Sequence, residues 1–181
     1  MIVFITGGEK NGKSTLAQKV ALKLADGGKR YYVATMIPTD KEDLRRIELH
    51  VEDRDGQGFE TLEQGRDLCD CLEKADVSGT FLLDSTTALL MNELFDVQND
   101  FALDENAPKR CLNQVEEFVK SVKNAVVVSD YIYSDGAFYD EVTETYRKGL
   151  ADIDRMLVAC ADTVVEMSAG NMIVHKGELL L

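Results

Sequence analysis

The chain has 181 residues, 45% of them hydrophobic and 29% charged, and a formal net charge of −13. That length fits one hydrophobic core comfortably, so residues 1–181 are read as a single compact α/β domain, and two prolines leave no Pro-rich linker. The acidic balance would repel a nucleic-acid backbone everywhere except at a local basic pocket, which excludes general nucleic-acid binding and leaves a small phosphorylated ligand open.

The first run, Met1 to Ile5, is apolar but has no basic flank, and Gly7-Gly8-Glu9-Lys10 interrupts it after one strand's length. It reads as a strand rather than a signal peptide. No stretch approaches the roughly 18 apolar residues needed to span a bilayer, so a cytoplasmic protein is expected. Cys69, Cys71, Cys111 and Cys160 lack the spacing of a disulfide framework or a zinc site, and are read as reduced structural thiols.

Short apolar runs alternate with longer amphipathic segments, the pattern of a mostly parallel central sheet built through helical crossovers. In chain order, the strand Ile2 to Thr6 meets a Gly-rich turn. A helix from Lys13 to Ala25 carries Leu16, Val20, Leu22 and Leu24 and stops at Gly27-Gly28. A strand from Arg30 to Thr35 precedes helices over Asp40 to Asp53 and Glu63 to Lys74. The strand Thr80 to Ser85 runs into a helix from Ser85 to Phe95, and Val97 to Asn106 reads as an exposed acidic loop. A helix from Ala107 to Val122, a strand from Ala125 to Ser129 and a long helix from Phe138 to Ala161 follow. Thr163 to Met167 and Met172 to His175 alternate around Ala169-Gly170-Asn171, which predicts a hairpin on one edge of the sheet.

Gly7-Gly8-Glu9-Lys10-Asn11-Gly12-Lys13-Ser14 matches G-x-x-x-x-G-K-[ST] at every fixed position and lies between an apolar strand and an amphipathic helix, the context this motif requires. The glycines let successive backbone N–H groups face inward, and the helix N-terminus adds partial positive charge, so an anion is the intended guest. Lys13 is expected to reach the β- and γ-phosphates of ATP or GTP, and the Ser14 hydroxyl to coordinate Mg²⁺. The bland alternative is a Gly-rich turn that binds nothing. A second acid for the metal should end a central strand, and Phe81-Leu82-Leu83-Asp84 has that form. Asp84 could equally cap the helix that opens at Ser85.

Of the two histidines, His50 lies in a segment where Arg46, His50 and Arg54 recur at i, i+4 and i+8, beside a stripe of Leu44, Ile47 and Val51 expected to be buried. Two guanidiniums near an imidazole disfavour its protonation and suit a triphosphate. Such a ring can attack phosphorus and split one difficult transfer into two easier ones. An Arg-His-Arg ladder on a helix is also a common solvated face. His175, beside Lys176, reads as a surface residue.

With the loop and this helix in view, the chain resembles the adenosylcobinamide kinase/adenosylcobinamide-phosphate guanylyltransferase family of cobalamin biosynthesis. The resemblance rests on Ile5-Thr6-Gly7-Gly8 running into Gly12-Lys13-Ser14, on Tyr32-Val33-Ala34-Thr35, and on Arg46-Ile47-x-x-His50 followed by Asp53-Arg54. It continues through Phe59-x-Thr61-x-Glu63, Leu82-Leu83-Asp84, Val128-Ser129 and Ala161-Asp162-x-Val164. It implies a RecA-like P-loop fold, assembly as a homo-oligomer, typically a trimer, and a bifunctional transferase acting on a corrinoid acceptor. One activity phosphorylates adenosylcobinamide; the other moves GMP from GTP to the product through His50. Nucleotide contacts are implied at Ala34, Thr35, Met36, Val51, Glu52, Asp53, Arg54, Glu63 and Asp84.

The chain departs from that family at two segments. Where relatives read Val-Ser-Asn-Glu-Val-Gly it has Val128-Ser129-Asp130-Tyr131-Ile132-Tyr133, and the later Gly-x-x-Asn-Gln-x-x-Ala appears as Ala151-x-x-Asp154-Arg155-x-x-Val158. The alternatives to the bifunctional enzyme are a diverged P-loop small-molecule kinase or NTPase without GMP transfer, and a nucleotide-binding regulatory protein without turnover.

Overall fold

The computed structural model describes residues 1–96, 102–133 and 136–179. Seven strands form one sheet in the order β3-β2-β4-β7-β1-β8-β9, where β1 is Ile2–Gly7, β2 Arg30–Ala34, β3 Glu60–Glu63, β4 Thr80–Asp84, β7 Asn124–Asp130, β8 Thr163–Ser168 and β9 Asn171–Lys176. Every pairing in this sheet is parallel except β8 with β9. The C-terminal ends of the parallel strands therefore share one edge. A separate antiparallel pair joins β5, Phe95–Asp96, to β6, Ala102–Leu103.

The inner strands are apolar on both faces because helices cover both. On one face, Val3, Ile5, Leu82, Val126 and Val128 pack against Ala17, Val20 and Ala21 of α1, Lys13–Ala25. On the other, Phe4, Phe81, Leu83 and Val127 pack against α3 (Thr86–Leu94), α4 (Ala107–Ser121) and α5 (Glu141–Cys160), through Leu89, Val115, Phe118, Leu150 and Ile153. Burying about ten such side chains at roughly 1.5–3 kcal/mol each supplies the main term that holds the inner strands between the two helical layers. The β8–β9 turn has Ala169 at φ 49° and Gly170 at φ 77°, both left-handed, as a two-residue hairpin connection demands.

Three expectations need correction. The segment from Glu63 to Lys74 is not an α-helix: Glu60–Glu63 is an edge strand paired parallel with β2, and a 3-10 helix covers Leu68–Lys74. Leu62 is the buried residue of that strand, so its period-2 pattern is too weak to see, whereas Leu68 and Cys71 recur at a spacing of three, the period of a 3-10 turn. The stripe of Leu44, Ile47 and Val51 is not core. Helix α2, Lys41–Asp53, buries no residue, and Leu44 and Val51 are about half exposed, because α2 stands above the sheet edge instead of covering a sheet face. Finally, β5 and β6 lie where helix and loop were read. Positions 97–101 of the acidic loop fall outside the described residues.

The thiols are unbridged, and burial pushes Cys71 and Cys111 up to about 12 and Cys69 up to about 11. These are inert packing groups, not reactive sulfurs. No helix among the described residues is long and apolar enough to cross a membrane.

Candidate nucleotide site

The loop from Gly7 to Ser14 leaves β1 and enters α1 without a side-chain cap: Gly12, at φ 83°, is the N-cap residue, so the first N–H groups of the helix remain for a ligand. Glycine at position 7 is dictated by packing, since a Cβ there would lie 2.4 Å from the Met167 carbonyl oxygen on β8. Lys13 is 6% exposed and turns back over the loop, its Nζ donating to the Gly8 carbonyl at 2.6 Å and standing 2.5 Å from Asp130 Oδ1 at the end of β7. Ser14 follows in the first helical turn.

Two strands away, β4 ends in Asp84. The cap of α3 is Ser85, whose side chain accepts from the Ala88 N–H at 3.3 Å, so the Asp84 carboxylate is not the cap. Instead it accepts from the Tyr32 hydroxyl at 2.9 Å. Burial raises the Tyr32 phenol far above its ordinary range, with the Asp84 charge adding to the effect, so Tyr32 stays a donor at any working pH. Ser14 and Asp84 offer a hydroxyl and a carboxylate, hard oxygen donors of the type Mg²⁺ takes, on one edge of the sheet. The donor set fits that ion.

Arg54 lies across the Tyr32 ring, its guanidinium carbon 3.5 Å from the ring centroid. Arg54 is 7% exposed, and its Nη1 has no hydrogen-bond partner among the described residues. A buried, charged donor left unpaired calls for an anion.

A cavity of about 450 Å³ opens between α2 and the ends of β2, β3 and β4. Six of the residues singled out from sequence converge on it: Ala34, Met36, His50, Arg54, Glu63 and Asp84. Leu44 and Ile47 supply an apolar wall, which is the role the misread stripe takes in place of core packing. The others point elsewhere. Thr35 is fully buried, and its hydroxyl donates to the Ser85 carbonyl at 2.9 Å while accepting from the Ser85 N–H at 2.7 Å, tying β2 to the β4–α3 junction. Arg46 leaves the face of His50 for Glu42 at 2.9 Å and for Glu9 of the phosphate loop at 3.8 Å. Val51, Glu52 and Asp53 are exposed and are not among the residues lining the cavity. The bracket of two guanidiniums around the imidazole is thus replaced by one, Arg54, because α2 ends at Asp53 and Arg54 as its C-cap folds beneath Tyr32.

Two residues of the site, Tyr32 and Asp130, are not visible as such in the sequence. Tyr32 is one aromatic in an apolar strand, and only the alternation of β2 could have hinted that its hydroxyl faces a polar neighbour. Asp130 was noted as a departure from a family pattern, with no sign of its contact to Lys13.

A mostly parallel sheet carrying a glycine-rich phosphate loop at the end of an inner strand defines a RecA-like P-loop nucleotide-binding fold. The chain belongs to the cobinamide kinase / cobinamide phosphate guanyltransferase family, whose model matches residues 3–174. No curated protein matches it. Among solved structures it is similar to a KaiC-like protein from the hyperthermophilic archaeon Pyrococcus horikoshii, with a TM-score of 0.55 at 15% identity over 98% of this chain and 79% of that one. It also matches the flagellar accessory protein FlaH from Methanocaldococcus jannaschii, with a TM-score of 0.47 at 14% identity over 98% of this chain and 78% of that one. The KaiC-like match supports the fold; membership of the family supports a nucleotide-dependent transferase of cobamide biosynthesis.

Proposed function

We propose that the chain is a bifunctional transferase that phosphorylates the hydroxyl of adenosylcobinamide from ATP or GTP and then transfers GMP from GTP to that phosphate. The observation that carries this reading is the shared cavity of His50, Arg54 and Asp84 on the sheet edge that also bears the phosphate loop. A nucleophile, an unpaired buried cation and a metal-binding carboxylate are the parts that phosphorus chemistry needs.

In the kinase step the loop N–H groups and Lys13 hold the β- and γ-phosphates, the acceptor hydroxyl gives its proton to solvent as its oxygen attacks the γ-phosphorus, and the bond to the departing nucleoside diphosphate breaks. Mg²⁺, held by Ser14 and Asp84, would neutralise phosphate charge when bound. In the second step a ring nitrogen of His50 attacks the α-phosphorus of GTP; the N–P bond forms as the bond to pyrophosphate breaks. Arg54 Nη1 donates to the charge that grows on the α-phosphoryl oxygens, a service worth about 3–4 kcal/mol for one well-placed donor in a water-poor site. The phosphate of the acceptor then displaces His50 and carries GMP away. Glu63, at the end of β3 on the cavity wall, is the candidate for reading the guanine N–H groups, because a carboxylate accepts two such donors. Assembly as a trimer belongs to the same reading.

The test is to incubate the protein with adenosylcobinamide, Mg²⁺ and ATP or GTP and follow the corrinoid by mass. Phosphorylated and then guanylylated corrinoid is the expected outcome. Phosphorylation without GMP transfer would leave a plain P-loop kinase, and nucleotide binding without either product would leave a regulatory protein.

A further inference from the structure

The lysine of the phosphate loop already has an anionic partner within the chain. Lys13 Nζ lies 2.5 Å from Asp130 Oδ1, with side-chain exposures of 7% and 25%. Asp130 is held from several directions. In the β1–β7 register it pairs with Gly7, its backbone N–H donates to Thr87 Oγ1 at 2.9 Å, and the next N–H, of Tyr131, donates to the Gly7 carbonyl at 3.3 Å. The backbone that fixes the carboxylate is thus hydrogen-bonded to the backbone that fixes the loop. Lys13, on a four-carbon stem, is the movable member of the pair.

We infer that Asp130 is a specificity-determining residue of the phosphate site, one that makes the loop accept a nucleoside triphosphate together with a divalent cation and reject the metal-free polyanion. In the free chain the carboxylate occupies the ammonium that a phosphate oxygen would otherwise take. With a phosphate chain in the loop, Lys13 turns to the ligand and Asp130 remains as a fixed negative charge beside it. Asp84 stands at the tip of the adjoining strand β4, so the same edge presents two carboxylates toward the ligand's phosphates. Like charges a few ångströms apart in a partly buried site repel strongly unless a cation lies between them. A divalent ion bound to the triphosphate supplies that cation; inorganic phosphate or triphosphate without metal does not. Discrimination of this kind works by repelling the wrong ligand rather than by attracting the right one.

The inference rests on the reading of Gly7 to Ser14 as a nucleotide-binding loop, and the experiment separates the two. Binding of ATP and of GTP to the full chain is measured by titration calorimetry, with Mg²⁺ and with EDTA, for wild type, Asp130→Asn, Asp130→Ala and Lys13→Ala, each first shown to be folded by circular dichroism. The expected result is that Asp130→Asn and Asp130→Ala bind metal-free triphosphate at least about tenfold tighter than wild type, a change of about 1.4 kcal/mol. The ratio of affinities with and without Mg²⁺ should shrink by a similar factor. If both Asp130 variants bind metal-free triphosphate no tighter than wild type, while Lys13→Ala weakens binding, the loop reading stands and the inference fails. If neither wild type nor the Asp130 variants bind any nucleotide, both fail.

Discussion

The hydroxyl of Tyr133 donates to Asp154 Oδ2 at 2.8 Å, and this bond joins the two segments at which the chain leaves its family's pattern. Tyr133 and Asp154 belong to the two segments that the sequence reading sets apart from the family resemblance, and they meet as one pair across the end of β7 and α5. Asp154 is 3% exposed. Burial pushes its acid up to about 6, with side-chain hydrogen bonds from Tyr133 and Ser129 opposing that rise and the Asp130 charge adding to it.

A pH dependence of stability follows. Because the folded-state value is raised from the ordinary 3.8 to about 6, the native state binds the extra proton between those values, and stability attributable to Asp154 falls as pH rises through that window. Above pH 6 the buried carboxylate disfavours the native state by on the order of 3 kcal/mol. Asp154→Asn is therefore expected to stabilise the protein at pH 7.5 by roughly 1–3 kcal/mol, with the gain vanishing near pH 4. Paired urea titrations of variant and wild type across that range check it, since the other carboxylates cancel in the difference.

A second prediction concerns the approach of β1 to β8. The Cβ of Gly7→Ala would sit 2.4 Å from a backbone oxygen, which no rotamer change relieves, and the position has φ 155°. A loss of about 3 kcal/mol or more is expected in urea unfolding. Gly27→Ala, where φ is 80° and nothing lies within 4 Å, should lose only about 1–2 kcal/mol, the strain of a left-handed alanine alone.

Arg54 and Tyr32 give a third. Arg54→Lys keeps the charge but loses the planar stacking on Tyr32 and the free Nη1 donor, and is expected to slow guanylylation roughly a hundredfold. Tyr32→Phe keeps the ring under Arg54 and removes the donor to Asp84, so its effect should be smaller and should fall on the Mg²⁺ concentration needed for half-maximal rate. Rates of label transfer from GTP at several Mg²⁺ concentrations separate the two outcomes.

The site divides along physical lines into what the sequence exposes and what it hides. The phosphate loop and α1 were legible because local rules write them: fixed glycines, one lysine, and an apolar period that begins at Leu16 and ends at Gly27-Gly28. The strands β1, β2, β4 and β7 were legible because both faces are buried, so they read as unbroken apolar runs. Strand β3 was not, since one residue of it is buried and its partner β2 lies some thirty positions away in the register pairing Tyr31 with Glu60. The path of α2 was hidden for a related reason. An apolar stripe looks the same whether it packs on a sheet or lines a cavity, and the difference lies in where Arg54 anchors the end of the helix. The contact of Asp130 with Lys13 is wholly tertiary and could not be read from either segment alone.

The central claim is that His50 carries GMP. The direct measurement is to mix the protein with Mg²⁺ and GTP labelled at the α-phosphate, and to look for acid-labile, base-stable label on the chain, with His50→Asn alongside. The account predicts label on wild type, none on His50→Asn, and release of the label as guanylylated corrinoid when adenosylcobinamide phosphate is added. A folded, GTP-binding wild type that takes up no label, or a His50→Asn chain that labels equally well, would contradict it.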